Sequence, residues 1–227
     1  MRYRDFQIQG TSPIDVALRM RRPRYTVLLI DGSASMNEGS SKPGKSKRAH
    51  TCDAMKKYVE AALKHNPQDR LALILYHSTA HVCCDFLNIH DDHKKLLSAI
   101  EKIRNGSSGG TEMKPGLELA AGLFRESKDS GVPASVASLA ESRPRLIALS
   151  DGYDVDTEGA ISVARRIKSS GVLVETLGVA QTPSEVDKKF LKKVATTDEQ
   201  GTHYRFLGDG ALVEEAFVQA AMGNLTF

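Results

Sequence analysis

Long apolar runs are missing from this 227-residue chain, and with them any segment able to span a membrane. The opening stretch, MRYRDFQIQG, lacks the apolar centre of a secretory leader. Cysteine is scarce: Cys52, Cys83 and Cys84 do not make a disulfide framework. Cys83 and Cys84 are adjacent and would point to opposite faces of a strand. Space-filling thiols in a reducing compartment are expected, and so a cytoplasmic protein. A net charge of +3 is too small to argue for nucleic acid. No serine sits in a nucleophile-elbow pattern, and His50, His65, His77, His81, His90, His93 and His203 form no compact metal pattern. Cys83 and Cys84 have no evident base nearby in sequence, so hydrolysis by a nucleophile–base set is not expected. Internal repeats and an interdomain linker are lacking too. What remains is ordinary globular composition, 41% apolar and 26% charged, in a length suited to one domain.

The chain is organised around Tyr25 to Met36, YTVLLIDGSASM. Val27, Leu28, Leu29 and Ile30 are apolar on both faces, as a central parallel strand requires. Further buried strands are expected at Arg70 to Tyr76, Arg145 to Leu149, Val172 to Val179 and Tyr204 to Leu207, with His81 to Leu87 as an antiparallel edge. Helical spacing points to helices over 46–65, 91–103, 113–124, 158–169, 184–195 and 210–222. Alanines 134, 137 and 140 leave room for a short helix in an otherwise polar stretch. Strands alternating with helices predict an α/β fold: a doubly wound, mostly parallel sheet with one antiparallel edge strand and helices on both faces. Residues 1–23 read as an extension flanking a domain over 24–227. Within that extension Phe6 and Ile8 suit a short strand, and Arg19, Arg21, Arg22 and Arg24 make a basic run.

Asp31 and Asp151 each follow a buried strand, and parallel strands place both carboxyl ends at one edge, where ligands bind in such sheets. Two carboxylates there repel unless a cation lies between them. Ser33 and Ser35 are two residues apart, so their hydroxyls can face the same way in an extended loop. Gly32 lets the backbone turn closely, and Gly109 and Gly110 would do the same for Thr111. Carboxylates and hydroxyls are the oxygen donors that hard cations take.

Asp31, Ser33 and Ser35, with Thr111 in SSGGTEMKPG and Asp151 in LIALSDG, resemble the metal-ion-dependent adhesion site of von Willebrand factor A domains. The resemblance covers about residues 24–222. It implies a Rossmann-like fold and a divalent ion, Mg2+ or Mn2+ rather than Ca2+. Ser33 and Ser35 would bind the ion directly; Thr111, Asp31 and Asp151 would bind it directly or through water. The position left open would take an Asp or Glu of a partner protein. The family then implies a protein-binding module rather than an enzyme, in one of two settings: adhesion for extracellular members, complex assembly for intracellular ones. The missing leader and unpaired cysteines favour the second, and no nucleic-acid or membrane partner is expected. The stretch RRPRYTVLLIDGSASM also looks like compact bacterial members linked to tellurite and stress resistance.

Glu38, Lys42, Lys45, Asp154 and Asp156 would form the rim against which a partner docks. Glu38 alternatively belongs to a neighbouring second metal site, and Asp154 and Asp156 to solvent, a second ion or basic partner residues. Lys42, Lys45, Lys47 and Arg48 read as a solvent-exposed basic loop beside the metal face. One competing motif stands: Gly39 to Ser46, GSSKPGKS, matches a nucleotide-binding phosphate loop, with Lys45 toward phosphate and Ser46 toward magnesium. A phosphate loop, however, begins almost where its strand ends. Here Gly32 to Glu38 intervene.

Overall fold

The computed structural model describes residues 23–39, 44–106, 109–129, 143–208 and 210–227. The elements expected before Pro23, the short helix expected around Ala134, Ala137 and Ala140, and Lys42 lie outside the described residues. Among those residues no helix is long and apolar enough to cross a membrane.

A six-stranded sheet has β1 (Tyr25–Asp31) near its centre, flanked by β2 (Arg70–Tyr76) and β4 (Arg145–Ser150). Beyond β2 lies β3 (Ala80–Asn88), the antiparallel edge; beyond β4 lie β5 (Leu173–Val179) and β8 (Tyr204–Leu207), all parallel. The two-residue strands β6 (Thr197–Asp198) and β7 (Gly201–Thr202) pair only with each other. The helices are α1 (Lys47–His65), α2 (Ile89–Arg104), α3 (Met113–Asp129), α4 (Thr157–Ser169), α5 (Lys188–Val194) and α6 (Gly210–Met222).

The period-two alternation of β1 divides the core. Leu28 and Ile30 join Met55 and Tyr58 of α1, Ile100 of α2 and Phe217 of α6 on one face. Val27 and Leu29 join Leu117 and Phe124 of α3, Ile161 of α4 and Phe190 of α5 on the other. A strand buried on both sides therefore has to be apolar at every position, which is what VLLI supplies. Short polar side chains start the helices: Ser46 accepts from Ala49 N at 3.2 Å and Asn88 from His90 N at 2.9 Å.

Two expectations need correction. The helix expected over 184–195 is a 3-10 turn, Pro183–Glu185, followed by α5. Val186 between them is extended, with φ −118° and ψ 135°, which ends the first turn before the second begins. Cys83 and Cys84 do not face opposite sides. Register shifts along β3 leave Leu73 opposite Cys84 and Ile74 opposite Val82, so β3 carries an extra residue, and both sulfurs pack against the α1–α2 core. A β-bulge cancels the alternation that adjacent residues otherwise obey.

Candidate metal centre

Parallel pairing of β1 with β4, Ile30 opposite Leu149, brings the ends of these strands side by side. Past β1 the chain turns sharply. Gly32 N donates to Tyr76 O at 2.6 Å, and a Cβ on Gly32 would lie 2.8 Å from Leu75 Cδ1, so a side chain there would push Leu75 aside. Ser33 then precedes a 3-10 turn, Ala34–Asn37. The loop before α3 reaches the same place: Ala34 N donates to Gly109 O at 3.1 Å, and Gly109 has φ +149°, a conformation that favours glycine.

Four of the five expected ligands form one hydrogen-bonded chain. Ser33 N donates to Asp31 Oδ1 at 2.8 Å, the Ser33 and Ser35 hydroxyls lie 3.0 Å apart, and Ser35 Oγ donates to Asp151 Oδ1 at 2.8 Å. Thr111 arrives through its backbone, its carbonyl accepting from Val155 N at 3.2 Å. Its hydroxyl lies 3.9 Å from where a Cβ on Gly152 would be, beside Asp151. Asp31 and Asp151 are both buried. Burial pushes the Asp31 carboxyl up to about 6; the Ser33 hydrogen bond opposes that shift and the neighbouring Asp151 charge adds to it.

Residues not anticipated as part of the site complete it. Asp31 Oδ2 accepts from Ser150 Oγ at 3.0 Å and lies 3.3 Å from the Tyr76 hydroxyl, which is also 3.2 Å from Leu149 O. Burial raises the Tyr76 phenol well above its ordinary range, so it stays a donor. Lys47 and Arg48 correct an expectation: they are buried, not part of an exposed basic loop. Lys47 Nζ lies 2.9 Å from Asp151 Oδ2, with 8% and 0% of the two side chains exposed. Arg48 donates to the carbonyls of Gly32 at 2.8 Å and Ser33 at 3.1 Å, and to that of Gly106, pinning the turn after β1. A sequence signal for both existed. A cation in the first turn of a helix opposes the helix dipole, and acids facing it offset that cost.

The rim residues divide. Glu38 is exposed, and its carbonyl accepts from Lys47 N at 3.1 Å. Asp154 serves the scaffold, accepting from Met113 N at 2.6 Å and Asp156 N at 2.8 Å; burial raises its carboxyl. Asp156 caps α4 through Gly159 N at 3.0 Å and pairs with Lys114 at 3.2 Å; these two partners, in that order, lower its carboxyl. Tyr153 and Val155, beside them, are 61% and 76% exposed. In the phosphate-loop motif, Lys45 Nζ is 2.8 Å from Asp53 Oδ2, Ser46 caps α1, and Gly39 pairs with Ser46 in a β-bridge. Both side chains that would face a nucleotide are thus engaged with α1.

The donor set fits a hard divalent cation: two carboxylates and neutral hydroxyls, all oxygen. Among the described residues no three His, Cys, Asp or Glu side chains gather into a metal-binding group.

Comparison with known proteins agrees with this fold. A family model described as von Willebrand factor type A domain matches residues 26–153. No curated protein matches the chain. A solved von Willebrand factor type A protein from Catenulispora acidiphila is 20% identical with a TM-score of 0.64, covering 89% of this chain and 43% of its own. Proximal thread matrix protein 1 from the mussel byssus, with a zinc-occupied MIDAS motif, is 17% identical with a TM-score of 0.65, covering 88% of this chain and 47% of its own. Manganese-loaded TRAP protein of Plasmodium vivax is 15% identical with a TM-score of 0.62, covering 88% of this chain and 73% of its own. The chain thus spans less than half the length of the first two. At such identities the likeness is one of fold.

Proposed function

The chain belongs to the von Willebrand factor type A domain family, and from that premise we propose that it is a metal-dependent protein-binding module rather than an enzyme. One observation carries the reading: the continuous chain Asp31–Ser33–Ser35–Asp151 at the carboxyl edge of the sheet. Ser33 and Ser35 offer neutral hydroxyl oxygens, Asp31 and Asp151 offer carboxylate oxygens, and Thr111 stands on the adjoining loop. A divalent ion held there, Mg2+ in this proposal, supplies a Lewis-acidic point that accepts a carboxylate oxygen of a partner. Few charged donors leave such an ion attractive to a foreign Asp or Glu. Exposed Tyr153 and Val155 offer apolar area beside it. The metal-loaded relatives lend support to a divalent site of this kind.

An intracellular role in complex assembly is part of the same proposal, resting on the unpaired Cys52, Cys83 and Cys84. The bacterial stress-resistance setting suggested by RRPRYTVLLIDGSASM belongs to it as well. Calorimetric titration of chelator-treated protein with Mg2+ and then Mn2+ tests the reading, with Asp31→Ala as control. About one ion per chain, lost in the variant, is expected. Folded wild-type protein that takes up neither ion would overturn it.

A further inference from the structure

Both oxygens of Asp151 are already engaged: Oδ1 by the Ser35 hydroxyl and Oδ2 by the Lys47 ammonium. Lys47 occupies the first position of α1 and is buried, an unfavourable place for a cation unless a carboxylate faces it. The charges around the cluster nearly cancel. Asp31 and Asp151 supply two negative charges; Lys47 and Arg48 supply two positive ones, and both carboxylates act on the Arg48 guanidinium, whose own shift is downward and set first by burial. Arg48 is committed to three backbone carbonyls and has no freedom to leave. Lys47, a point charge on a flexible stem, has that freedom.

We propose that Lys47 is a built-in counter-ion for the metal site: its ammonium holds Asp151 while the site is metal-free and must leave that carboxylate for a divalent cation to be held through it. This rests on the metal-binding reading above. Lys47 therefore sets the affinity of the site, weakening metal uptake by the chain alone. A metal that enters against Lys47 and Arg48 leaves excess positive charge at the edge, which an acidic partner side chain neutralises. Metal and partner acid then strengthen each other's binding. Glu185, in the turn beyond β5, is exposed, and its carboxyl, lowered first by the Thr182 hydroxyl, also feels the charge of Lys47.

The test is Mn2+ binding to chelator-treated full-length chain, read by the electron paramagnetic resonance of free Mn2+ and by calorimetry. Wild type is compared with Lys47→Met, Lys47→Gln and Lys47→Arg. Removing a unit charge a few ångströms from a divalent ion is expected to tighten Mn2+ binding about tenfold or more in the Met and Gln variants. The Arg variant, which keeps the charge, should stay as weak as wild type. Without metal, Lys47→Met should melt below wild type, and saturating Mn2+ should raise its melting temperature by more. Gln keeps a hydrogen-bond donor to Asp151 should Met impair folding. On wild type itself, the Lys47 side-chain resonance should shift as Mg2+ saturates the site. Equal affinity in all four proteins, or a Lys47 resonance unmoved at saturation, would mean a fixed structural ion pair and overturn the inference while leaving the metal site intact. Absence of Mn2+ binding in wild type and all variants alike would overturn the metal reading and this inference with it.

Discussion

At the amino end of the sheet, Arg145 on β4 grips Glu175 on β5 through Nε at 2.7 Å and a terminal nitrogen at 2.8 Å, and its remaining nitrogen donates to Ala220 O at 2.7 Å. Beside it, Arg24 holds Asp69 at 3.0 Å and Ala221 O at 3.2 Å. At the carboxyl end, Asp31 and Asp151 meet hydroxyls and one lysine instead. Both ends bury carboxylates and cations. In the first, each carboxylate is matched by a rigid planar guanidinium, so the arrangement is closed and ties α6 to the sheet. In the second, neutral donors and a mobile ammonium leave carboxylate capacity that another cation can claim. The difference teaches that burial of charge does not itself mark a site; the kind of counter-ion does.

Glu175→Ala is the harshest way to break the closed end. It leaves the buried Arg145 unpaired, and a loss of about 3–5 kcal/mol is expected in urea unfolding. Mn2+ affinity of the surviving folded fraction should not change, because Glu175 lies at the opposite end of the sheet. A metal affinity that fell with it would dissolve the distinction between the two ends.

The pH dependence of the metal-free protein sharpens the same contrast. Asp31 titrates at about 6 when folded, against an ordinary value of 3.8. Between these values the folded state keeps a proton the unfolded state has lost, so stability is fully present below the lower value and falls as pH rises through the upper one. The shift corresponds to ~3 kcal/mol at about 1.4 kcal/mol per pH unit. Urea unfolding in chelator from pH 4 to 7 should show that decline in wild type and not in Asp31→Asn. Equal slopes would mean Asp31 is not the strained carboxylate.

Lys45→Ala removes an exposed pair with Asp53 and should cost under about 1 kcal/mol. Magnesium binding should be unaltered; a loss would return the phosphate-loop motif to contention. The smallest expected effect concerns the thiols. Burial pushes Cys52 and Cys84 up to about 12 and Cys83 up to about 11. An aromatic disulfide reagent at pH 8 should therefore find no fast-reacting thiol in the native protein, and three after unfolding. A fast thiol would mean that the β3 edge opens readily.

Much of this was legible in the linear chain. The two-sided burial of Val27 to Ile30 follows from their being apolar without interruption, and the position of Asp31 and Asp151 after such runs predicts a shared edge. The serines follow because hydroxyl spacing is local. Asp156 was read as a rim acid, although its place three residues before the amide it caps made the cap legible. Lys47 and Arg48 were not read correctly. A charged pair beside glycines and serines has the composition of a solvated loop; the cost of two cations in a first helical turn was the one local hint, and it does not say that this turn points into the sheet edge. Cys83 and Cys84 were misread because a bulge is a property of the pairing, not of one strand. Asp154 looked like a rim acid because the amide it satisfies, Met113, lies on a distant segment.

Chain-local chemistry thus determined which strands are buried, where they end and which oxygens stand at those ends, since apolar periodicity and short-range spacing are written residue by residue. The tertiary structure decided which charges meet there. A buried carboxylate takes whichever donor the packing brings to it, and whether that donor is a clamped guanidinium or a displaceable lysine depends on where helices such as α1 and α6 come to rest.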